Sequence, residues 1–143
     1  MTDLHKILAA ADPMTLAGIP AGFLPWLAAD LARAAKGRAV FIAPDEAAMR
    51  ALADAAHYFA PELETLIFPA WDCLPYDRAS PSLRSTSERL ATLHALQRKS
   101  DRPQLLVTTV NAALQRTLTP FRIRQLVARL APGERIDRDR LAA

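Results

Sequence analysis

The sequence is poor in cysteine, in glycine and in long apolar runs. Its single cysteine, Cys73, excludes an intrachain disulfide and a metal site built on several thiolates. No apolar run approaches the roughly 18 residues of a membrane-spanning helix, and residues 1–6 lack the basic and then apolar pattern of an export signal. We therefore expect a cytoplasmic protein without membrane contact, and we interpret Cys73 as a small buried residue rather than a nucleophile.

The motifs of common catalytic and metal sites are also missing. The three histidines, His5, His57 and His94, are scattered, and none stands in an H-E-x-x-H spacing. No serine lies in a G-x-S-x-G turn, and no G-x-G-x-x-G dinucleotide fingerprint occurs. We interpret His57 and His94 as partly buried packing residues, and we expect neither a metal nor a cofactor.

The net charge is +3, but the two halves of the chain differ in sign. Residues 1–72 carry five basic and nine acidic side chains, whereas residues 73–143 carry thirteen basic and six acidic ones. A basic half can attract nucleic acid or an acidic protein surface. A solvated arginine-rich face with local ion pairs is the simpler interpretation, and we favour it. The candidates for a phosphate-contacting face are Arg84, Arg89, Arg98, Lys99 and Arg102.

Short apolar runs alternate with stretches of helical periodicity, and 51% of the residues are apolar, which is enough for a core. We expect strands at residues 14–17, 39–43, 64–68 and 104–108. We expect helices at residues 23–35, 44–59 and 110–115, and one more after a capping box formed by Ser85 and Glu88. This order predicts an α/β protein with a parallel sheet, helices on both faces, and a strand at 39–43 that is buried on both sides.

The turn at residues 17–25 is the place where such a fold would bind phosphate. A phosphate loop reads G-x-x-x-x-G-K-[ST], because backbone N–H groups, a lysine and a magnesium-binding hydroxyl all contribute. Gly18 and Gly22 are present, but Phe23 and Leu24 stand where lysine and serine or threonine are needed. Two positions, Pro20 and Pro25, have no N–H to donate. The sequence therefore predicts no tight nucleotide binding.

Residues 68–81 combine three prolines, two aspartates and, besides Phe68, two large aromatics at the end of an apolar run. Prolines fix the backbone direction, so this segment has a defined shape. Trp71 and Tyr76 form either a docking surface or a cover for the edge of the sheet, and we favour the cover. Asp72 and Asp77 are either an acid and base pair or turn-capping residues, and we favour the capping role.

Three segments together resemble the N-terminal region of the bacterial transcription-repair coupling factors. They are residues 66–81, with W-D-C-L-P-Y-D at the centre, residues 87–93 and residues 107–116, and the resemblance extends over roughly residues 15–140. It implies a three-layer, RecA-like fold similar to the excinuclease B subunit, with a degenerate phosphate loop. Residues 1–119 would form this domain, and residues 120–143 would begin a small inserted domain that binds a partner.

The resemblance implies a DNA-repair protein whose ATP-driven motor lies elsewhere, so that this fragment is a non-catalytic scaffold and recruitment module. The partner of the inserted domain would be the excinuclease A subunit, whereas RNA polymerase and DNA would be bound by parts absent here. The basic segment after residue 120 ends in an element with nothing to pack on, so we expect that the natural protein continues or that the end is frayed.

The residues that carry these expectations fall into two sets. The family motif and candidate docking surface comprises Trp71, Asp72, Leu74, Pro75, Tyr76, Asp77 and Arg89. The candidate partner or DNA contacts are Arg122, Arg124 and Arg129. Two other functions remain open on the sequence alone, a small DNA-binding accessory domain and a reduced NTPase that uses Asp72 and Asp77.

Overall fold

A computed structural model describes residues 4–35, 37–73, 78–127, 132–133 and 135. The helices are α1 (Leu4–Ala9), α2 (Leu24–Ala34, preceded by a 3-10 turn at Ala21–Phe23), α3 (Glu46–Phe59), α4 (Leu83–Leu96), α5 (Val110–Leu114) and α6 (Pro120–Leu126). The strands are β1 (Arg38–Ala43), β2 (Glu64–Phe68) and β3 (Gln104–Thr109). None of the helices in these ranges has the length and apolar content that a bilayer crossing requires.

The three strands form one parallel sheet in the order β1-β3-β2. Each strand is followed or preceded by a helix that returns the chain to the same edge, as parallel pairing requires. The strands start in register, with Arg38 beside Gln104 and Glu64 on the other side of Gln104. The predicted α/β class with a parallel sheet is therefore confirmed.

The core lies between one face of the sheet and helices α2 and α3. Leu105 and Val107 of the central strand are almost completely buried there, and Met49 of α3 has no exposed surface. Several alanines of the two helices are also inaccessible, which lets the helices pack closely on the sheet. The buried alanines of this cluster are Ala28, Ala29, Ala32, Ala53 and Ala56.

The opposite face of the sheet is covered by α4 on β2 but not on β1. Phe68 of β2 lies under α4, and the Thr92 hydroxyl donates a hydrogen bond to the Ile67 carbonyl. On β1, the side chains of Val40 and Ile42 remain 58% and 54% exposed. The prediction that this strand is buried on both faces is therefore wrong, because no helix in the described part of the chain reaches its second face.

Two predictions need correction, namely the strand at residues 14–17 and the N-cap of α4. Residues 14–17 form no strand, so the sheet has three described strands and not four. Helix α4 begins at Leu83, and Ser82 is its N-cap, because the Ser82 hydroxyl accepts a hydrogen bond from the Ser85 N–H. The predicted capping box of Ser85 and Glu88 is wrong, since Ser85 lies inside the helix and Glu88 pairs with Arg50 and Arg84.

Several side chains of the described helices are only partly covered. Phe23 of the 3-10 turn and Trp26 of α2 are 37% and 40% exposed, and their rings contact each other. Phe59 at the end of α3 is 48% exposed. His57 is exposed, so it is not a packing residue, whereas His94 is half-buried as expected. Cys73 is half-buried, so it is not the fully buried filler that the sequence suggested.

The segment after residue 119 contributes a short helix to the same body. Helix α6 starts at Pro120, and the Thr119 hydroxyl caps it by accepting the Arg122 N–H. Ile123 is 2% exposed and anchors α6 on α4. The division into residues 1–119 and 120–143 stays a prediction, since most of the second range lies outside the described residues.

Helix α3 offers a test of the fold at one capping residue. The Asp45 carboxylate accepts a hydrogen bond of 2.7 Å from the Ala48 N–H. We expect Asp45→Ala to lower the free energy of unfolding by about 1 kcal/mol, because an N–H of the first turn loses its acceptor. Urea denaturation followed by circular dichroism measures this. The control is Asp54→Ala in the exposed middle of the same helix, and equal losses in both variants would contradict the assignment of the cap.

Candidate functional site

The segment after β2 crosses the carboxyl ends of β2 and β3 beside the start of α4. Its first residues, 69–73, are described, and four of the predicted site residues, Leu74, Pro75, Tyr76 and Asp77, lie outside the described residues. Pro69 is buried, and Ala70 and Trp71 are half-buried, so the segment packs on the sheet instead of extending into solvent. The chain direction set by β2 places Trp71 over α4.

Arg89 is the centre of this site, although it is an arginine with only 1% of its surface exposed. Its guanidinium carbon lies 4.1 Å from the centroid of the Phe68 ring and 4.4 Å from that of the Trp71 ring. A cation between two aromatic faces gains from the negative charge density of both rings. The side chain thereby joins α4 to the last residue of β2 and to the segment that follows it.

Polar contacts complete the fixation of Arg89. Its Nη1 donates to the Pro69 carbonyl at 2.6 Å and to Gln115 Oε1 at 3.2 Å. The same Gln115 oxygen accepts the Trp71 N–H at 2.9 Å. Gln115 follows α5, so one amide oxygen connects the end of that short helix, the buried arginine and the backbone of the tryptophan.

Arg89 has no carboxylate partner among the residues that the structure describes. Its Nε and Nη2 are buried and make no hydrogen bond there, and burial lowers the pKa of its guanidinium from the ordinary value. Arginine nevertheless stays charged, because its ordinary pKa is far above neutrality. A buried charge with neutral acceptors alone is costly, so the two rings supply much of its compensation.

Asp72 braces the same segment against the start of α4. Its Oδ1 accepts the Ser82 N–H at 3.0 Å, and the Ser85 hydroxyl donates to the Ala70 carbonyl at 3.2 Å. Hydrogen bonding to the Ser82 side chain and then to its N–H lowers the pKa of the Asp72 carboxyl, which is fully exposed. These contacts agree with the turn-capping role that the sequence favoured for Asp72.

The described contacts of Asp72 hold a loop against the start of α4. Asp72 accepts backbone hydrogen bonds and is ionised at neutral pH, and no second carboxylate approaches it among the described residues. Within the described ranges, no three histidine, cysteine, aspartate or glutamate side chains are placed to hold a metal ion. What the site presents to its surroundings is a half-buried Trp71 in a fixed orientation.

The glycine bend before α2 has a definite geometry. Gly18 has φ +72°, a left-handed conformation that favours glycine, and no strand precedes it in the described residues. The Phe23 N–H donates to the Pro20 carbonyl at 2.9 Å, and Pro25 lies in the first turn of α2. The bend therefore offers few N–H groups that point at one place.

The basic residues of the second predicted set lie apart from this site. Arg122 and Arg124 are exposed on α6, and the Arg122 Nη1 donates to Gln125 Oε1. Arg129 lies outside the described residues. Among the described residues, no hydrogen bond or ion pair joins Arg122 or Arg124 to Trp71 or Asp72. Whether either set docks a partner stays a prediction.

Sequence reasoning identified Trp71, Asp72 and Arg89 but missed the residues that connect them. Phe68 was read only as the end of a strand, and Gln115 only as the end of a helix. Gln115 is 44 residues from Trp71 in sequence, and no local pattern marks such a pairing. A Ser-x-x-Ser spacing at Ser82 and Ser85 was the available signal for the true cap of α4.

Comparison with known proteins gives the chain its relatives. No protein-family model matches it. A transcription-repair-coupling factor of Myxococcus xanthus is 36% identical over 110 residues, which are 72% of this chain and 9% of that protein. Another, of Escherichia coli (strain K12), is 30% identical over 115 residues, which are 80% of this chain and 10% of that protein. The chain is a homologue of the transcription-repair-coupling factors.

The resemblance to transcription-repair-coupling factors seen in the sequence is thereby confirmed. The chain spans about a tenth of the length of these two relatives. The activity of a whole coupling factor therefore involves a much longer polypeptide than the 143 residues of this chain.

The stack around Arg89 can be tested through Trp71. The chain has two tryptophans, so Trp26→Phe leaves Trp71 as the single reporter. In that background, we expect Arg89→Ala to lower the free energy of unfolding by about 3 kcal/mol, because a buried side chain and its hydrogen bonds are lost. Trp71 fluorescence should shift to longer wavelength as its ring becomes hydrated.

The matched control for this variant is Arg84→Ala on the same helix, whose side chain is 72% exposed. It should change the free energy of unfolding by less than about 0.5 kcal/mol and leave the fluorescence unchanged. If Arg89→Ala behaves like this control, the stack does not hold the segment.

The lowered pKa of Asp72 predicts a pH effect on the start of α4. A carboxyl whose pKa is depressed by folding stabilises the fold fully above its unfolded value of about 3.9, and this contribution is lost as the pH falls through the folded value. We expect the Ser82 amide resonance to titrate with a midpoint below about 3.9 in an NMR pH series. Asp72→Asn should abolish this titration, and a midpoint above the ordinary value would contradict the contact.

Proposed function

We propose that this chain is a non-catalytic scaffold segment of a transcription-repair coupling factor. The sheet order and the helices on its faces are compatible with a RecA-like layout in which the phosphate loop is degenerate. The homology to coupling factors supplies the biological context, namely DNA repair coupled to transcription. In the proposal, the segment positions neighbouring parts of the protein and performs no chemistry itself.

The observation that carries the proposal is the bend at residues 17–25. Phosphate binding at the start of a helix needs several N–H groups that converge on the ligand, together with a cation. Here Pro20 and Pro25 lack the N–H, the Phe23 N–H is already bonded to the Pro20 carbonyl, and no lysine is present. A nucleotide would find few free N–H donors and no cationic side chain within residues 17–25.

The second part of the proposal concerns recruitment. The resemblance implies that an inserted domain, beginning near α6, binds the excinuclease A subunit. Helix α6 carries Phe121 and Leu126, which are 65% and 55% exposed, and the exposed Arg122 and Arg124 stand between them in the sequence. Such a mixed apolar and basic helix is suited to contact a partner, and the remaining elements of the inserted domain would complete the surface.

The alternative of a reduced NTPase has less support. It requires Asp72 and Asp77 to act as a pair, but the Asp72 carboxylate is engaged by the Ser82 N–H at the start of α4. A catalytic base must be within reach of the group that it deprotonates. A residue that holds a helix start is better explained as a structural brace.

We expect the purified chain to hydrolyse no ATP in the presence of magnesium above the buffer background. The probe variant is Gly22→Asp, because the space around Gly22 is open and a carboxylate there would repel a phosphate. Hydrolysis is measured by phosphate release, and both proteins should give the same background. A turnover in the natural sequence that Gly22→Asp abolishes would overturn the proposal.

A further inference from the structure

A cleft of about 640 Å³ opens at the amino edge of the sheet. It lies at the opposite edge from residues 69–73, the Trp71 segment. It lies where the strands begin, between the loop that precedes β1 and the loop that joins α4 to β3. Among the residues that line it, Asp101 is the only carboxylate. The cationic residues of the lining are Arg33, Arg38, Arg98, Lys99 and Arg102.

The floor of the cleft is a row of hydrogen-bonded side chains across the three strands. Arg38 Nε donates to Gln104 Oε1 at 2.8 Å, and Gln104 Nε2 donates to Glu64 Oε2 at 2.8 Å. The Ser100 hydroxyl donates to the same Glu64 oxygen at 2.7 Å. Gln104 is 4% exposed, so it fixes the direction of Arg38 while it separates the arginine from the glutamate.

Two guanidinium groups are held in place by neutral acceptors. Arg38 Nη2 donates to the Leu96 carbonyl at 3.2 Å. Arg102 donates from Nε to the Glu62 carbonyl at 2.7 Å and from Nη2 to the Pro61 carbonyl at 2.8 Å. Backbone carbonyls orient these groups, and the Glu62 and Glu64 carboxylates are near enough to Arg102 to interact with its charge. Among the described residues, Nη1 of Arg38 and of Arg102 has no hydrogen-bond acceptor.

The other cations of the cleft divide into paired and unpaired side chains. Arg33 forms salt bridges of 2.6 Å with Asp30 and with Glu62, so it adds little net charge. Arg98 and Lys99 are exposed, and their side chains make no ion pair or hydrogen bond with described residues. Four cations that form no salt bridge with a described residue therefore share one concave surface, and Glu64 interacts with two of them, Arg98 and Arg102, only at longer range.

We propose that this cleft binds phosphate groups, either along the backbone of a single-stranded nucleic acid or in a free polyphosphate. Guanidinium forks whose direction is already fixed suit oxyanions, because they lose little side-chain entropy on binding. A concave surface of one charge sign also concentrates an anionic ligand. A chain of phosphates offers acceptor oxygens to several cations along the cleft, among them Nη1 of Arg38 and of Arg102, which favours it over the single carboxylates of an acidic peptide.

Phosphate binding in this cleft does not depend on the proposed scaffold function, so a separate binding experiment tests it. The variant is Arg98→Gln combined with Lys99→Gln, since these side chains support no contact of the fold. Binding of a fluorescein-labelled oligothymidylate to the 143-residue chain is measured by anisotropy as salt is varied. Each lost phosphate contact should weaken binding roughly fivefold at 0.1 M salt and reduce the salt slope by about 0.7.

The control variant is Arg78→Gln combined with Arg116→Gln, which removes the same charge from exposed positions that do not line the cleft. It should leave the affinity within about twofold of the natural sequence, since these residues lie outside the cleft. Equal losses in the two double variants would mean that binding follows net charge, and they would overturn the proposal. Absence of binding at low salt would do the same.

Two competitors identify the ligand. Displacement of the oligonucleotide by inorganic pyrophosphate supports the phosphate site. If the chain binds pyrophosphate but not the oligonucleotide, the ligand of the cleft is a free polyphosphate. An oligoglutamate that binds as well as the oligonucleotide would overturn phosphate recognition in favour of an acidic protein. ATP held through its phosphates in this cleft would be released in the Arg98 and Lys99 variant but not by Gly22→Asp, so this outcome is separate from that of the hydrolysis test.

Discussion

The burial of Arg89 beside Phe68 and Trp71 is the interaction on which the carboxyl edge of the sheet depends. One side chain contacts the end of β2, the following segment and, through Gln115, the end of α5. Because a buried guanidinium without a carboxylate is costly, it is tolerated only where rings and carbonyls surround it. The Trp71 segment therefore owes its position to α4, a helix that begins more than ten residues later in the chain.

The two edges of the sheet use arginine in different ways. At the carboxyl edge, Arg89 is enclosed, and its charge is used to hold a loop. At the amino edge, Arg38 and Arg102 are oriented by carbonyl oxygens and remain open to solvent. The same residue type thus holds a loop at the carboxyl edge of the sheet and leaves accessible positive charge at the amino edge.

The sequence predicted β2 with its correct bounds and β3 within one residue, because short apolar runs between turn signals are local patterns. It did not predict the exposure of Val40, since burial depends on which helix packs across the strand. The sequence places the cap of α4 at Ser85 because Ser85 and Glu88 match the capping-box pattern, whereas the folded chain uses Ser82 and turns the Ser85 hydroxyl to the distant Ala70 carbonyl. Trp71 and Arg89 were identified as a motif, but their stacking is a tertiary contact without a local signature.

The open side of β1 has a consequence for the isolated chain. In the described sheet β1 is an edge strand, so the backbone groups on its outer side pair with no other described strand. The exposed side chains of Val40 and Ile42 lie beside them. Unprotected strands of this kind are templates for pairing with another copy, the route by which many proteins aggregate. The isolated chain is therefore prone to self-association at high concentration. A charged side chain on this strand opposes such pairing.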